Sequence, residues 1–323
     1  MKALHRIAAA CFASVAVIAA HAAPSFPDRP VRLIVTTAPG TGSDAIARMI
    51  ETSMGKALGQ PVVVENRAGA GGVIGMEYVA RAPADGYTIV LGADGTLMAS
   101  PAMNPENVRY NVERDFAPIA GLFRTAFVIV TANSPEAPRT IAELVERAKQ
   151  GNLSYGSSGI GTITHLASEL FLDRAGIRIT HVPYKGAGQS LTDAIAGRVV
   201  MVTDTLPAIL PMVRAGKLRA LAVMSEARIA SLPDVPTLHE SGYPGLVAQG
   251  GWGLLAPAGT PPAVVQALAD ASLRALQSPD VQARTQALEL QPMALEPAAF
   301  SSYIKTYTPL WTDLIKKANI RAE

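Results

Sequence analysis

The sequence has a single cysteine, Cys11, and it falls inside the first apolar stretch. That excludes a disulfide framework and, once a leader is removed, any thiolate chemistry. Histidine is scarce: five in 323 residues, with no close His/Cys spacing, which argues against a zinc site. Aromatics make up only 5% and the formal charge is only +2, so the basic, aromatic-studded surface of a nucleic-acid binder is missing. Beyond the first 22 residues no apolar run is long enough to span a bilayer. What is abundant is apolar residues, 49% against 17% charged, which implies a packed globular protein. The length suits two domains or one large α/β unit.

The N-terminus reads as an export signal. Lys2 and Arg6 precede an apolar run from Ile7 to Ala20, and Ala20-His21-Ala22 supplies a small-residue cleavage site. Residues 1–22 are expected to be removed, taking Cys11 with them and the formal charge from +2 to 0. The mature protein is then expected in the periplasm.

Strand and helix patterns alternate along the chain. Val31 to Gly40 reads as a buried strand entering a Pro-Gly turn, followed by a helix from about Asp44. A second strand at Pro61 to Arg67, a helix over 73–81 and a third strand at Asp85 to Asp94 complete a doubly wound, parallel pattern. Similar elements recur between Phe127 and Met224, with Thr140 and Glu143 as a capping box. The segment from Pro261 to Asn319 is mostly helical. The fold class expected is α/β: two lobes, each a doubly wound sheet flanked by helices. Residues 23–124 plus 248–323 would form one lobe and 125–247 the other, with crossings near Gly121-Leu122-Phe123 and Gln249-Gly250-Gly251.

In open α/β sheets, ligands sit beyond the carboxyl ends of the strands. Two loops there share one composition. Ala38-Pro39-Gly40-Thr41-Gly42-Ser43-Asp44 and Ser157-Ser158-Gly159-Ile160-Gly161-Thr162 are rich in glycine and hydroxyls, and each opens a helix. First-turn amides of a helix lack internal partners, and the positive end of the helix dipole lies there. Such a loop can hold a carboxylate or phosphate without Arg or Lys. One such loop is ordinarily a turn and cap; two at equivalent places favour a ligand. His165, in the first turn of its helix, either reaches that ligand or caps the loop. Asp44 reads as a first-turn acid. Asp94, before Gly95 and Thr96, and Asp204 end strands; each either accepts hydrogen bonds from a ligand or caps a turn. Lys185 is a candidate positive charge.

Catalytic and cofactor motifs are incomplete. Gly156-Ser157-Ser158-Gly159-Ile160 lacks the last glycine of a nucleophile elbow. No P-loop is present, and Gly69 to Gly75 places its third glycine one residue late for a dinucleotide fingerprint. No cofactor, metal or catalysis is expected.

Several ordered stretches carry a family resemblance: Pro27-Asp28-Arg29-Pro30-Val31, Val64-Glu65-Asn66-Arg67-Ala68-Gly69, Ala84-Asp85-Gly86-Tyr87-Thr88, Tyr155-Gly156-Ser157-Ser158-Gly159, His181-Val182-Pro183-Tyr184-Lys185-Gly186, Leu232-Pro233-Asp234-Val235-Pro236-Thr237, and Trp252 with Ala256-Pro257-Ala258-Gly259. In these the chain resembles the Bug family, solute receptors of tripartite tricarboxylate transporters. The resemblance implies a two-lobed receptor of the periplasmic binding protein type that binds a small carboxylated metabolite as a monomer and hands it to membrane permease subunits. It implies that the loops Ala38 to Asp44 and Ser157 to Thr162 pinch a carboxylate, partly through water, while Asp94 to Thr96 and Asp204 shape the distal end. The sequence departs from the family at Thr37-Ala38, Gly40-Thr41 and Gly188-Gln189-Ser190, which bears on the ligand and not on the fold. A receptor that signals to a membrane kinase is the alternative reading.

Overall fold

The computed structural model describes residues 26–160, 162–184, 186–317 and 320. The expected leader over 1–22, Gly161 and Lys185 lie outside the described residues. The first five main elements are β1 (Val31–Val35), α1 (Gly42–Leu58), β2 (Val62–Asn66), α2 (Val73–Ala80) and β3 (Thr88–Ala93). A one-turn π-helix (Gly95–Ala99), α3 (Ser100–Met103) and α4 (Val112–Asp115) lead into β4 (Phe116–Ala132). Then follow α5 (Ile141–Lys149), β5 (Ser154–Ser157), α6 (Ile163–Ala175), β6 (Thr180–Pro183), α7 (Ala187–Ile195), β7 (Met201–Thr205), α8 (Leu206–Arg214) and β8 (Leu218–Val223). The chain ends with β9 (Gln249–Pro257), α9 (Pro262–Leu276), α10 (Pro279–Ala287), β10 (Gln291–Leu295) and α11 (Pro297–Lys317).

Local sequence explains the ends of these elements. Val31, Leu33, Ile34 and Val35 are all buried, as expected of a parallel strand covered on both faces. Thr41 caps α1 by accepting from the Asp44 N–H, and Gly59 closes it at φ 73°. Thr162 caps α6 in the same way, through the His165 N–H, and Gly176 closes that helix at φ 64°.

The strands form one continuous sheet in the order β2-β1-β3-β9-β4-β7-β5-β6, with β8 and β10 also pairing with β4. The outer strands are parallel, β1 with β2 and β3, and β5 with β6 and β7. The middle is not. β9 runs antiparallel to β3 and β4, and β4 antiparallel to β7 and β8. The parallel pattern therefore holds only in the two outer parts, because the two strands that join them travel in opposite directions.

β4 makes the junction. Its residues up to Ala126 pair with β9, and from Phe127 onward it pairs with β7 and β8. Sequence pattern gave only Phe127 to Thr131 as strand. Pro118 and Gly121 disguise the first half, and the register of the β4–β9 ladder shifts there. β9 was disguised by its glycines, which close packing requires. A Cβ on Gly253 would lie 2.1 Å from the Phe300 ring and 2.7 Å from the Ala120 carbonyl oxygen. α11 thus lies directly on the crossing strands, and its end reaches the other half through Lys317 Nζ and Asp173 Oδ2 at 2.7 Å.

Candidate functional site

The first loop is built around Asp44. Its buried carboxylate accepts from the Gly40 N–H at 2.9 Å, from Asn66 Nδ2 at 2.9 Å and from Arg48 Nε at 3.1 Å. Burial alone would raise its pKa, but Arg48, Gly40 and Asn66 outweigh that and hold it below the ordinary value. Thr41 Oγ1 lies 2.6 Å from Thr37 Oγ1 and donates to the Ala38 carbonyl at 2.9 Å. Ala38, Pro39 and Gly40 are left exposed at the tip. Asp44 is thus a scaffold for the loop, and the exposed tip is what it presents. Ser43 is buried and accepts from the Trp252 indole N–H at 2.9 Å, which fastens α1 to β9.

The second loop is braced differently. Ser157 Oγ shares a hydrogen bond with His181 Nε2 at 2.7 Å. The His181 ring stacks on His165, with centroids 3.9 Å apart and planes within 8°, and on Tyr155 at 4.9 Å. The Tyr155 hydroxyl donates to Glu169 Oε1. Burial lowers the His181 pKa to about 4, and burial with the neighbouring His181 lowers that of His165 to about 3. Both rings are therefore neutral near pH 7. The His165 ring is buried against His181, and its backbone N–H donates to the capping Thr162 hydroxyl at 3.4 Å.

Asp204 is also buried, and its partners are protein groups. Ser158 Oγ donates to Oδ2 at 3.2 Å, and Thr205 donates to Oδ1 through N at 2.7 Å and Oγ1 at 3.2 Å. It positions Ser158 through that bond. Burial raises its pKa to about 6, against the pull of those donors. Ser158 N–H donates to Thr164 Oγ1 at 3.2 Å, and Gly159 sits at φ 132°, a backbone angle that favours glycine, where a Cβ would come to 3.2 Å from the Tyr184 carbonyl oxygen.

The third loop holds Asp94 and Thr96. Asp94 Oδ2 accepts from the Gly251 N–H at 2.7 Å and the Tyr303 hydroxyl at 2.9 Å, so its carboxylate ties β3 to β9 and α11. Thr96 Oγ1 is spent on Ala93, donating to its carbonyl at 2.9 Å. Both side chains are thus bonded within the protein, Asp94 through Oδ2.

Three contacts bring the loops together. Ser43 meets Trp252, Trp252 is the register partner of Ala93, and a Cβ placed on Gly95 would lie 3.8 Å from the Ile163 nitrogen. These contacts link the N-terminus of α1, the end of β3 and the N-terminus of α6 one to the next. Among the described residues no Lys or Arg bonds to either loop except Arg48, which is committed to Asp44. Each loop offers an anion amides, hydroxyls and the positive end of a helix dipole. Trp252, His181, Thr164 and Thr205 were not singled out as site residues. Trp252 and His181 stood in shared motifs, but their partners are distant in sequence.

The model of the tripartite tricarboxylate transporter family receptor matches residues 46–320. The chain is 33% identical over 310 residues to Protein BugT of Bordetella pertussis, covering 96% of this chain and 95% of BugT. Among solved structures, MatC from Rhodopseudomonas palustris with bound malate is 32% identical, with a TM-score of 0.81 over 90% of this chain and 100% of that one. R. palustris Rpa4515 with adipate is also 32% identical, with a TM-score of 0.83 over 92% and 99%. With the two-part sheet and these matches together, the chain belongs to the tripartite tricarboxylate transporter receptor family, the Bug proteins, and has their periplasmic binding protein fold.

Proposed function

We propose that the protein is a periplasmic receptor that captures a small carboxylated metabolite, closes over it and presents the closed form to membrane permease subunits. The carboxylate sits in the mouth shared by the 38–44 and 157–162 loops. The observation that carries this reading is the run of contacts from Ser43 through Trp252 and Gly95 to Ile163, which links the N-termini of α1 and α6 through β9 and the end of β3. Backbone amides and hydroxyls there replace the hydration of the carboxylate, and charge-assisted hydrogen bonds are the strong ones. The two relatives with malate and adipate support the ligand class. The pairing of β4 with β9 up to Ala126 and with β7 and β8 from Phe127 supports a hinge at that junction. Closure shifts the population only if the ligand makes contacts absent from the open form. The ligand leaves chemically unchanged.

Calorimetric titration of the purified protein with adipate, malate and neutral adipamide tests this. Saturable binding of a dicarboxylate and none of adipamide is expected. Equal binding of adipamide, or recovery of a chemically altered ligand, would overturn it.

A further inference from the structure

A second cavity, of about 270 Å³, lies between α6 and α11, and none of the loop residues 38–44 or 157–162 lines it. Tyr303, Tyr307 and Trp311 recur every fourth residue along α11 and form one wall. The Tyr303 and Tyr307 rings are 4.7 Å apart. At the rim stand Val247, Tyr307 and Leu310, exposed by 39%, 42% and 61%. These are three of the five large hydrophobic side chains exposed among the described residues, and they meet at one opening. Single exposed apolar residues need no explanation, but a cluster around a cavity marks a contact surface.

The polar end is Asp94. It is 2% exposed, and both its hydrogen bonds fall on Oδ2. Oδ1 accepts none among the described residues, and no Lys or Arg lies within salt-bridge distance of either oxygen. The lining carries four acidic side chains against three basic ones. One of those bases, Lys317, is committed to Asp173 at 2.7 Å, and another, Arg124, donates to Gln291 at 3.1 Å. A buried carboxylate without a counter-ion, walled by aromatic faces, suits a cation.

We propose that this cavity is a second ligand site, for a hydrophobic amine with its ammonium on Asp94 and its ring against Tyr303, Tyr307 and Trp311. The space equals that of about nine water molecules, enough for one ring and a short arm. Burial holds Asp94 up at about 7, so an arriving ammonium stabilises a carboxylate that is otherwise half protonated at neutral pH. The site is independent of which carboxylate the main cleft takes.

The test is calorimetric titration of the whole protein with 2-phenylethylamine, and with 3-phenylpropionate as its charge-reversed counterpart. One-to-one binding of the amine is expected. Tyr307→Ala and Leu310→Ser, both at the exposed rim, should weaken it about tenfold while the unfolding temperature without ligand stays within about 2 °C. Asp94→Asn should abolish it. The absence of saturable amine binding up to millimolar concentration would overturn the proposal. So would amine affinity unchanged in Tyr307→Ala, or 3-phenylpropionate binding that is weakened equally by that variant.

Discussion

The two loops of the mouth have the same composition but opposite supports. The 38–44 loop is held by a charged acid, Asp44, with Arg48 and Asn66 around it, and its tip is exposed. The 157–162 loop rests on two neutral imidazoles and a buried acid: Ser157 on His181, His181 on His165 and Tyr155, and Ser158 on Asp204. The first support is an acid held below its ordinary pKa by its partners. The second depends on groups whose burial moves their pKa values to about 3, 4 and 6. Similar sequences can thus make two loops that answer to different parts of the pH range.

Glycine substitutions should separate the two most strongly. Gly159→Val places a branched side chain at φ 132° and against the Tyr184 carbonyl. Carboxylate binding is expected to fall a hundredfold or more by calorimetry. Gly40→Ala, at φ 81° but with nothing within 4 Å, should lose only about tenfold, in line with a left-handed penalty of about 1–2 kcal/mol. Equal losses in the two would break the contrast.

Asp44→Asn comes next. It leaves Arg48 without its partner and weakens the bond to Gly40, so the unliganded protein should lose about 1–3 kcal/mol in urea unfolding. An unchanged midpoint would show that the carboxylate does not hold the first loop.

The pH response is smaller and has two signs. His181 and His165 are harder to protonate in the fold than the ordinary 6.5, so the unfolded chain takes those protons first. Their contribution is complete above about 6.5 and is lost as the pH falls through about 4 and 3. Asp204 acts oppositely: its folded pKa is about 6, so the fold keeps a proton that the unfolded chain has released, and stability gains as the pH falls from about 6 toward 3.8. His181→Gln should therefore flatten the fall in unfolding temperature between pH 6.5 and 4, and Asp204→Asn should steepen it. Parallel profiles for wild type and both variants would remove the second loop's pH dependence. The smallest effect belongs to Ser158→Ala, about fivefold in carboxylate affinity, the size of one net hydrogen bond.

The outer strands, the Thr140 cap of α5 and the two loops were legible in the sequence because each depends on neighbours within a few residues. The crossing strands were not. The first half of β4 looks interrupted at Pro118, and the glycines of β9 look like a hinge until Phe300 is seen against Gly253. The partners of Asp94, Asp204 and His165 were hidden for a related reason. Their position at strand ends and helix starts was plain, but whether a side chain faces a cleft or a distant partner such as Tyr303 or His181 depends on packing.

The most direct measurement is a crystal structure of the protein grown with adipate. One carboxylate should lie within hydrogen-bond distance of first-turn amides of α1 and of groups in the 157–162 loop at once. A carboxylate bound to only one of these loops, or held chiefly by an Arg or Lys side chain, would contradict the shared mouth.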